Sequence, residues 1–331
     1  MRPVSTLGLV LLSVIGMANS GLAHERGDRP RIGPVVPVVN FDVNPVFAVE
    51  GIAMSPHNDL YVGAPYEGEI FRVAPNGDVS VFAHLVPNPD DGYLLGLVVA
   101  GDETLYAAVV GCNTPSINGV WHVDANGNVA LVMPMPSDSC WASVPNNLAF
   151  DEEGNLYVTD SANGSVWRLG RHGDVRMWVQ DDLLKPISAF GANGMAYRDD
   201  SLWVINLDAG SVVQIPILRD GRAGQPRTFV QSALLVGADD CNFDVAGNLY
   251  VGNVYTMNLL RVSPRGEVEI LITAAQFAPF YWPTCPVFGF GKERTTIYID
   301  GADPSVVKVD VGIPGMLMPQ FEHRFRARDR E

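Results

Sequence analysis

The stretch Pro145–Leu169, PNNLAFDEEGNLYVTDSANGSVWRL, decides the fold. A polar residue, Asn146, opens it, and a short apolar run leads into a turn at Glu152-Glu153-Gly154-Asn155. The strand LYVTD follows, then a second turn at Ala162-Asn163-Gly164 and a third strand, SVWRL. Short apolar runs separated by Gly- and Asn-rich turns read as antiparallel hairpins. A further turn, Arg171-His172-Gly173-Asp174, leads into VRMWV as a fourth strand.

Outward from this unit, variants of it run the length of the chain. Residues 50–83 break into four short strands at Pro56-His57-Asn58-Asp59, Tyr66-Glu67-Gly68 and Pro75-Asn76-Gly77-Asp78. Each unit's second strand is headed by a leucine or isoleucine: Leu60, Leu105, Leu156, Leu202, Leu249 and Ile297, at intervals of 45, 51, 46, 47 and 48 residues. Four strands per unit at that period predict an all-β, six-bladed propeller. The sixth unit has only three evident strands. The isolated extended segment at about 34–43 is expected to supply its fourth, closing the ring and covering two sheet edges. The domain reading is a signal peptide at 1–23, a propeller at 34–315 and a C-terminal tail at 316–331, where Arg324, Arg326, Arg328 and Arg330 read as a solvated end.

The start of the chain carries the marks of export: Met1-Arg2, an apolar run from Leu7 to Met17, and small residues at Gly21-Leu22-Ala23. The run is shorter than the roughly 20 residues a spanning helix needs, so no membrane insertion of the mature chain is expected. Export makes disulfides the expected state of the four cysteines. Of three pairings, we expect Cys112–Cys140 and Cys241–Cys285, the second because both residues fall on the opening strands of successive units. A net charge of −15 argues against nucleic acid and anionic membrane surfaces as partners. The sequon Asn163-Gly164-Ser165 reads as the hairpin turn itself.

First strands of a propeller line its central channel, so residues at matched offsets converge near the axis. Glu50, Asn146 and Asp239 each lie ten residues before their second-strand leucine, and Asn193 lies nine before Leu202. Two carboxylates and two amide oxygens suit a hard divalent cation, calcium first among them, better than zinc or copper. The histidines fall in turns, outer strands and termini, and no G-x-S-x-G nucleophile signal exists, so neither supports a different chemistry.

The segments Glu50-Gly51, Pro145-Asn146-Asn147-Leu148-Ala149, Ala192-Asn193-Gly194-Met195-Ala196 and Asp239-Asp240-Cys241 resemble the senescence marker protein/gluconolactonase family, which includes regucalcin-like lactonases. The resemblance spans residues 45–312 and implies a metal held by Glu50, Asn193 and Asp239, with Asn146 as a fourth ligand or a substrate contact, and Asp239 as general base or nucleophile. The chain departs from the family at Asp240-Cys241, where Asp-Gly is common, and at Tyr93-Leu94-Leu95-Gly96, where sugar lactonases can carry an arginine. The expected function is metal-assisted opening of a small-molecule lactone or related ester, with Asn146, Tyr93, Asp240 and Trp282 near the substrate. Trp141, Tyr281 and Trp282 fall in connections that can overhang the channel mouth. Two alternatives stay open: a non-catalytic secreted propeller with a structural calcium, and a metal-free relative resembling strictosidine-synthase-like propellers.

Overall fold

The structure, a computed structural model, describes residues 31–43, 49–86, 91–280, 282–301 and 303–322. The expected leader at 1–23, Tyr281 and the tail arginines lie outside them. The described strands form six four-stranded antiparallel sheets, five of them with their strands in chain order from the axis outward. Blade three comprises Pro145–Phe150, Leu156–Asp160, Ser165–Leu169 and Val175–Gln180, as its four runs predict. Blade six takes its outermost strand from the N-terminal side: Val36–Asn40 pairs antiparallel with Ser305–Asp310. The ring therefore closes as expected. No described helix is long and apolar enough to cross a membrane.

Local chemistry explains the recurring unit. In blade three the Asp151 carboxylate accepts from the Asn155 backbone at 2.8 Å, from its side-chain amide at 2.7 Å and from the Tyr157 hydroxyl at 3.0 Å. Gly154, at φ +81°, makes the tight turn possible. Blade five repeats the device with Asp244, Asn248 and Tyr250. The next turn is held by Asp160, which accepts from Val144 N at 2.9 Å and Asn163 Nδ2 at 2.9 Å. Asn163 also donates to Ala142 O, so this amide is engaged in the hairpin as the sequon's turn reading expects.

The second-strand residues that set the period are the interior of the molecule. Leu105, Leu202 and Ile297 have no exposed surface, and Leu60, Leu156 and Leu249 have 2% or less. Burying each contributes about 2 kcal/mol. The tail arginines lie outside the described residues, but the segment just before them is packed. Met316 N donates to Phe243 O, Gln320 Nε2 donates to Val99 O, and Phe321 is fully buried 5.6 Å from the Phe290 ring. The stretch Met316–Phe321 packs across one end of the channel.

Candidate functional site

Five inner strands break register at one level, each carrying one extra residue relative to its neighbour. In blade three, Pro145 faces Asp160 and Leu148 faces Val158, so Asn146 and Asn147 together oppose Thr159. Such a bulge re-aims consecutive side chains. The equivalent pairs are Leu95-Gly96, Asn193-Gly194, Asp239-Asp240 and Thr284-Cys285. Glu50-Gly51 takes the same place in blade one, with Gly63 donating to Gly51 O and accepting from Glu50 N. The first members, Glu50, Leu95, Asn146, Asn193, Asp239 and Thr284, all line one cavity of about 370 Å³. Among the second members, Asn147, Asp240 and Cys285 line a smaller space of about 70 Å³ that Met316, Met318 and Gln320 close.

The glycines let the strands converge. A Cβ on Gly51 would lie 1.9 Å from Leu95 O, one on Gly96 2.1 Å from Asn146 O, and one on Gly194 2.3 Å from Asp239 O. Each is a contact with the next blade's backbone, which cannot yield without opening the ring.

The four expected ligands thus meet at the floor of one cavity. Asn193 is 2% exposed; its Nδ2 donates to Asp239 Oδ1 at 2.6 Å, while its Oδ1 is buried without a hydrogen-bond partner. No group of three or more His, Cys, Asp or Glu side chains among the described residues is arranged to hold a metal ion. A cation site at this ring must therefore draw on amide oxygens as well as the Glu50 and Asp239 carboxylates. The orphaned Asn193 oxygen is the observation that fits such a site, since a buried acceptor left unpaired is costly.

The electrostatics point the same way. Burial, then the charges of Asp239, Asp300 and Asp240, push Glu50 well above the usual carboxylate range. Burial and neighbouring Asp240 raise Asp239 to about 7, against the Asn193 hydrogen bond that lowers it. Burial lifts Asp240 to about 6 despite donors from Cys285 and the Cys241 backbone. Asp300, wholly buried on the second strand of blade six, rises to about 8 for the same first reason. It opposes the Thr284-Cys285 bulge, accepts from Thr284 Oγ1 and Cys285 N at 2.8 Å each, and leaves its Oδ2 unpaired. No Lys, Arg or His lines either cavity among the described residues. Four carboxylates lie in or beside the channel, and among the described residues no cationic side chain lines it to offset them.

Tyr93, Asn146 and Trp282 line the larger cavity. Asp240 does not. It turns to the deeper level, where its Oδ2 accepts from Asn147 Nδ2 at 2.6 Å and Cys285 Sγ at 2.7 Å, and its Oδ1 from Cys241 N at 2.6 Å. The cysteine pairing is half corrected. Cys112 and Cys140 are bonded, but Cys241 and Cys285 are free and buried. They do not occupy equivalent places: Cys285 aligns with Asp240, and Cys241 with Pro286. One step along a strand reverses the side chain, so Cys241 packs into the core shared with Ile205 and Phe243 while Cys285 faces Asp240. Thr284 and Asp300 were missed by offset counting. Thr284 lies 13 residues before Ile297 because a short helical turn, Gly291–Glu293, lengthens the connection.

No protein-family model and no curated protein sequence matches the chain. Solved structures do. A gluconolactonase from Xanthomonas campestris superposes with a TM-score of 0.65 at 17% identity, over 87% of this chain and 95% of that one. The calcium-binding protein regucalcin from Agrobacterium tumefaciens gives 0.66 at 17% identity, over 87% and 97%. A luciferin-regenerating enzyme gives 0.66 at 14% identity, over 86% and 98%. At these identities the likeness speaks to architecture: this chain is a six-bladed β-propeller of the kind seen in gluconolactonase and regucalcin.

Proposed function

We propose that the chain is a secreted, divalent-cation-dependent hydrolase that opens a lactone or related ester at the channel mouth, with calcium as the cation. The observation that carries this reading is the all-oxygen ring of Glu50, Asn146, Asn193 and Asp239, drawn from four blades to the floor of one cavity. Those four residues would hold the cation. When bound, it supplies Lewis-acid polarisation of the substrate carbonyl. Asp239 is the general base that takes a proton from the attacking water, and Asn193 holds it in place through the 2.6 Å hydrogen bond. The surrounding walls are mostly apolar, which strengthens the electrostatic interactions at the ring. The names of the structural neighbours, gluconolactonase and luciferin-regenerating enzyme, accord with small-molecule chemistry at this place. Secretion rests on the leader-like residues 1–23 and on the Cys112–Cys140 disulfide.

The test is a calcium titration into chelator-treated protein, followed by a panel of lactones and aryl esters with and without the ion. Turnover that needs the metal and vanishes in Asp239→Asn supports the hydrolase. A melting shift without turnover favours a non-catalytic propeller with a structural calcium, and failure to bind any divalent ion refutes both.

A further inference from the structure

The walls above the oxygen ring are built from aromatic rings. Tyr66, Tyr93, Trp141, Phe190, Tyr255 and Trp282 surround the 370 Å³ cavity, with Pro65, Leu95, Leu207 and Val254 between them. Four of the rings form a continuous run. Tyr66 meets Tyr93 edge-on at 5.1 Å, Tyr93 stacks on Trp141 at 5.4 Å and 21°, and Trp141 meets Phe190 at 6.1 Å. Across the cavity stands Trp282.

The two tryptophans are held there at a cost. Both have positive φ, 70° for Trp141 and 56° for Trp282, a left-handed conformation that bulky residues rarely adopt. Both keep a large exposed face, 47% and 42%. Strain at an exposed aromatic is not explained by core packing. The surrounding chain fixes each device. Cys140, next to Trp141, is bonded to Cys112 in the blade-two insertion. The Phe190 loop is pinned by Asp208, whose Oδ2 accepts from the backbone of Ile187, Ser188 and Ala189 at 2.7–2.9 Å. Trp282 is followed directly by Pro283, the first residue of its inner strand.

We infer that this cavity selects a neutral, flat, apolar substrate, an aryl-fused lactone or aryl ester, held between Trp141 and Trp282 with its carbonyl toward the oxygen ring, and that it excludes polyhydroxylated sugar lactones. The inference rests on the hydrolase reading of the same site and narrows it. Above the ring the side-chain hydrogen-bonding groups are few, the tyrosine hydroxyls and the two indole N–H donors; no Lys, Arg or His lines the cavity among the described residues. A polyol entering it would give up water at several hydroxyls without replacement partners. A planar hydrocarbon ring would instead gain stacking on rings already rigid and in place.

The experiment separates binding from turnover. Dihydroquinolinone, the unreactive lactam analogue of dihydrocoumarin, and gluconolactam are titrated by calorimetry into the full chain with calcium; turnover of dihydrocoumarin and glucono-lactone is measured in parallel. The aryl lactam is expected to bind and gluconolactam not to. Trp141→Ala and Trp282→Ala should each weaken the aryl lactam about tenfold, with circular dichroism and calcium affinity unchanged. Aryl-lactam binding without dihydrocoumarin turnover would sink the hydrolase reading and leave the selectivity standing. Gluconolactam binding as tight as the aryl lactam, binding of neither, or tryptophan variants that bind the aryl lactam as wild type does would overturn the inference.

Discussion

Asp239→Asn should stabilise the metal-free protein, contrary to the usual effect of altering a buried site. In the folded chain Asp239 is 9% exposed, and burial with the neighbouring Asp240 charge moves its carboxyl from 3.8 to about 7. Ionising it in the fold is then harder by on the order of 4 kcal/mol. The sign follows from proton counting. Between 3.8 and about 7 the folded state holds a proton that the unfolded state has lost, so stability falls as pH rises through that window. Asparagine cannot ionise, and its own amide oxygen still accepts the Asn193 Nδ2 hydrogen bond. At pH 8, in chelator, the variant should exceed wild type by up to about 4 kcal/mol, or between about 5 and 10 °C in melting temperature. Below pH 4 the two should coincide. Calcium should narrow that gap to roughly 1 kcal/mol, since saturation at a hundred times Kd adds about 2.7 kcal/mol to a protein that binds it and nothing to one that does not. The assay is a set of urea and thermal melts across pH in EGTA and in calcium. A variant less stable than wild type at pH 8 in EGTA, or one that keeps the full calcium shift, would refute the reasoning.

Other perturbations test other parts of the account. Gly194→Ala places a Cβ 2.3 Å from Asp239 O and 2.4 Å from Asp240 Cα; it should cost about 3 kcal/mol by chemical denaturation and weaken calcium binding with it. Phe321→Ala, at the buried C-terminal segment, should cost about 3–5 kcal/mol, where a merely solvated tail would give no change in the urea midpoint. Tyr157→Phe removes the hydroxyl that donates to Asp151 at 3.0 Å and should cost about 1 kcal/mol, read in the same melts. Because Asp239 and Asp300 sit at about 7 and about 8, calcium must displace protons to bind, so calorimetry should find affinity falling from pH 8 to pH 6, with proton release that varies with the buffer.

What the sequence made legible was whatever repeats. A buried leucine or isoleucine at the head of each second strand recurs once per blade, and Gly- and Asn-rich turns punctuate the strands, so six blades and the closing strand follow from counting. Glu50, Asn146, Asn193 and Asp239 were readable for the same reason: the bulge falls at one level in each blade and the turn to the next strand has nearly constant length. Where that length changes, counting fails, as at Thr284. Asp300 was hidden differently, since it reaches the channel from the second strand, opposite a bulge that one-dimensional periodicity does not reveal. The Cys241–Cys285 pairing failed on a single register step, which sends neighbouring side chains to opposite faces. Met316–Phe321 is too short to carry a period, and its burial depends on a channel end that only the assembled ring provides.

The most direct test of the central claim is a crystal structure of the protein grown with a lanthanide in place of calcium, with the ion located by its anomalous scattering. The account predicts one strong peak at the floor of the 370 Å³ cavity, within ligand distance of oxygens from Glu50, Asn193 and Asp239. An empty channel, or an ion bound only at surface carboxylates, would contradict it.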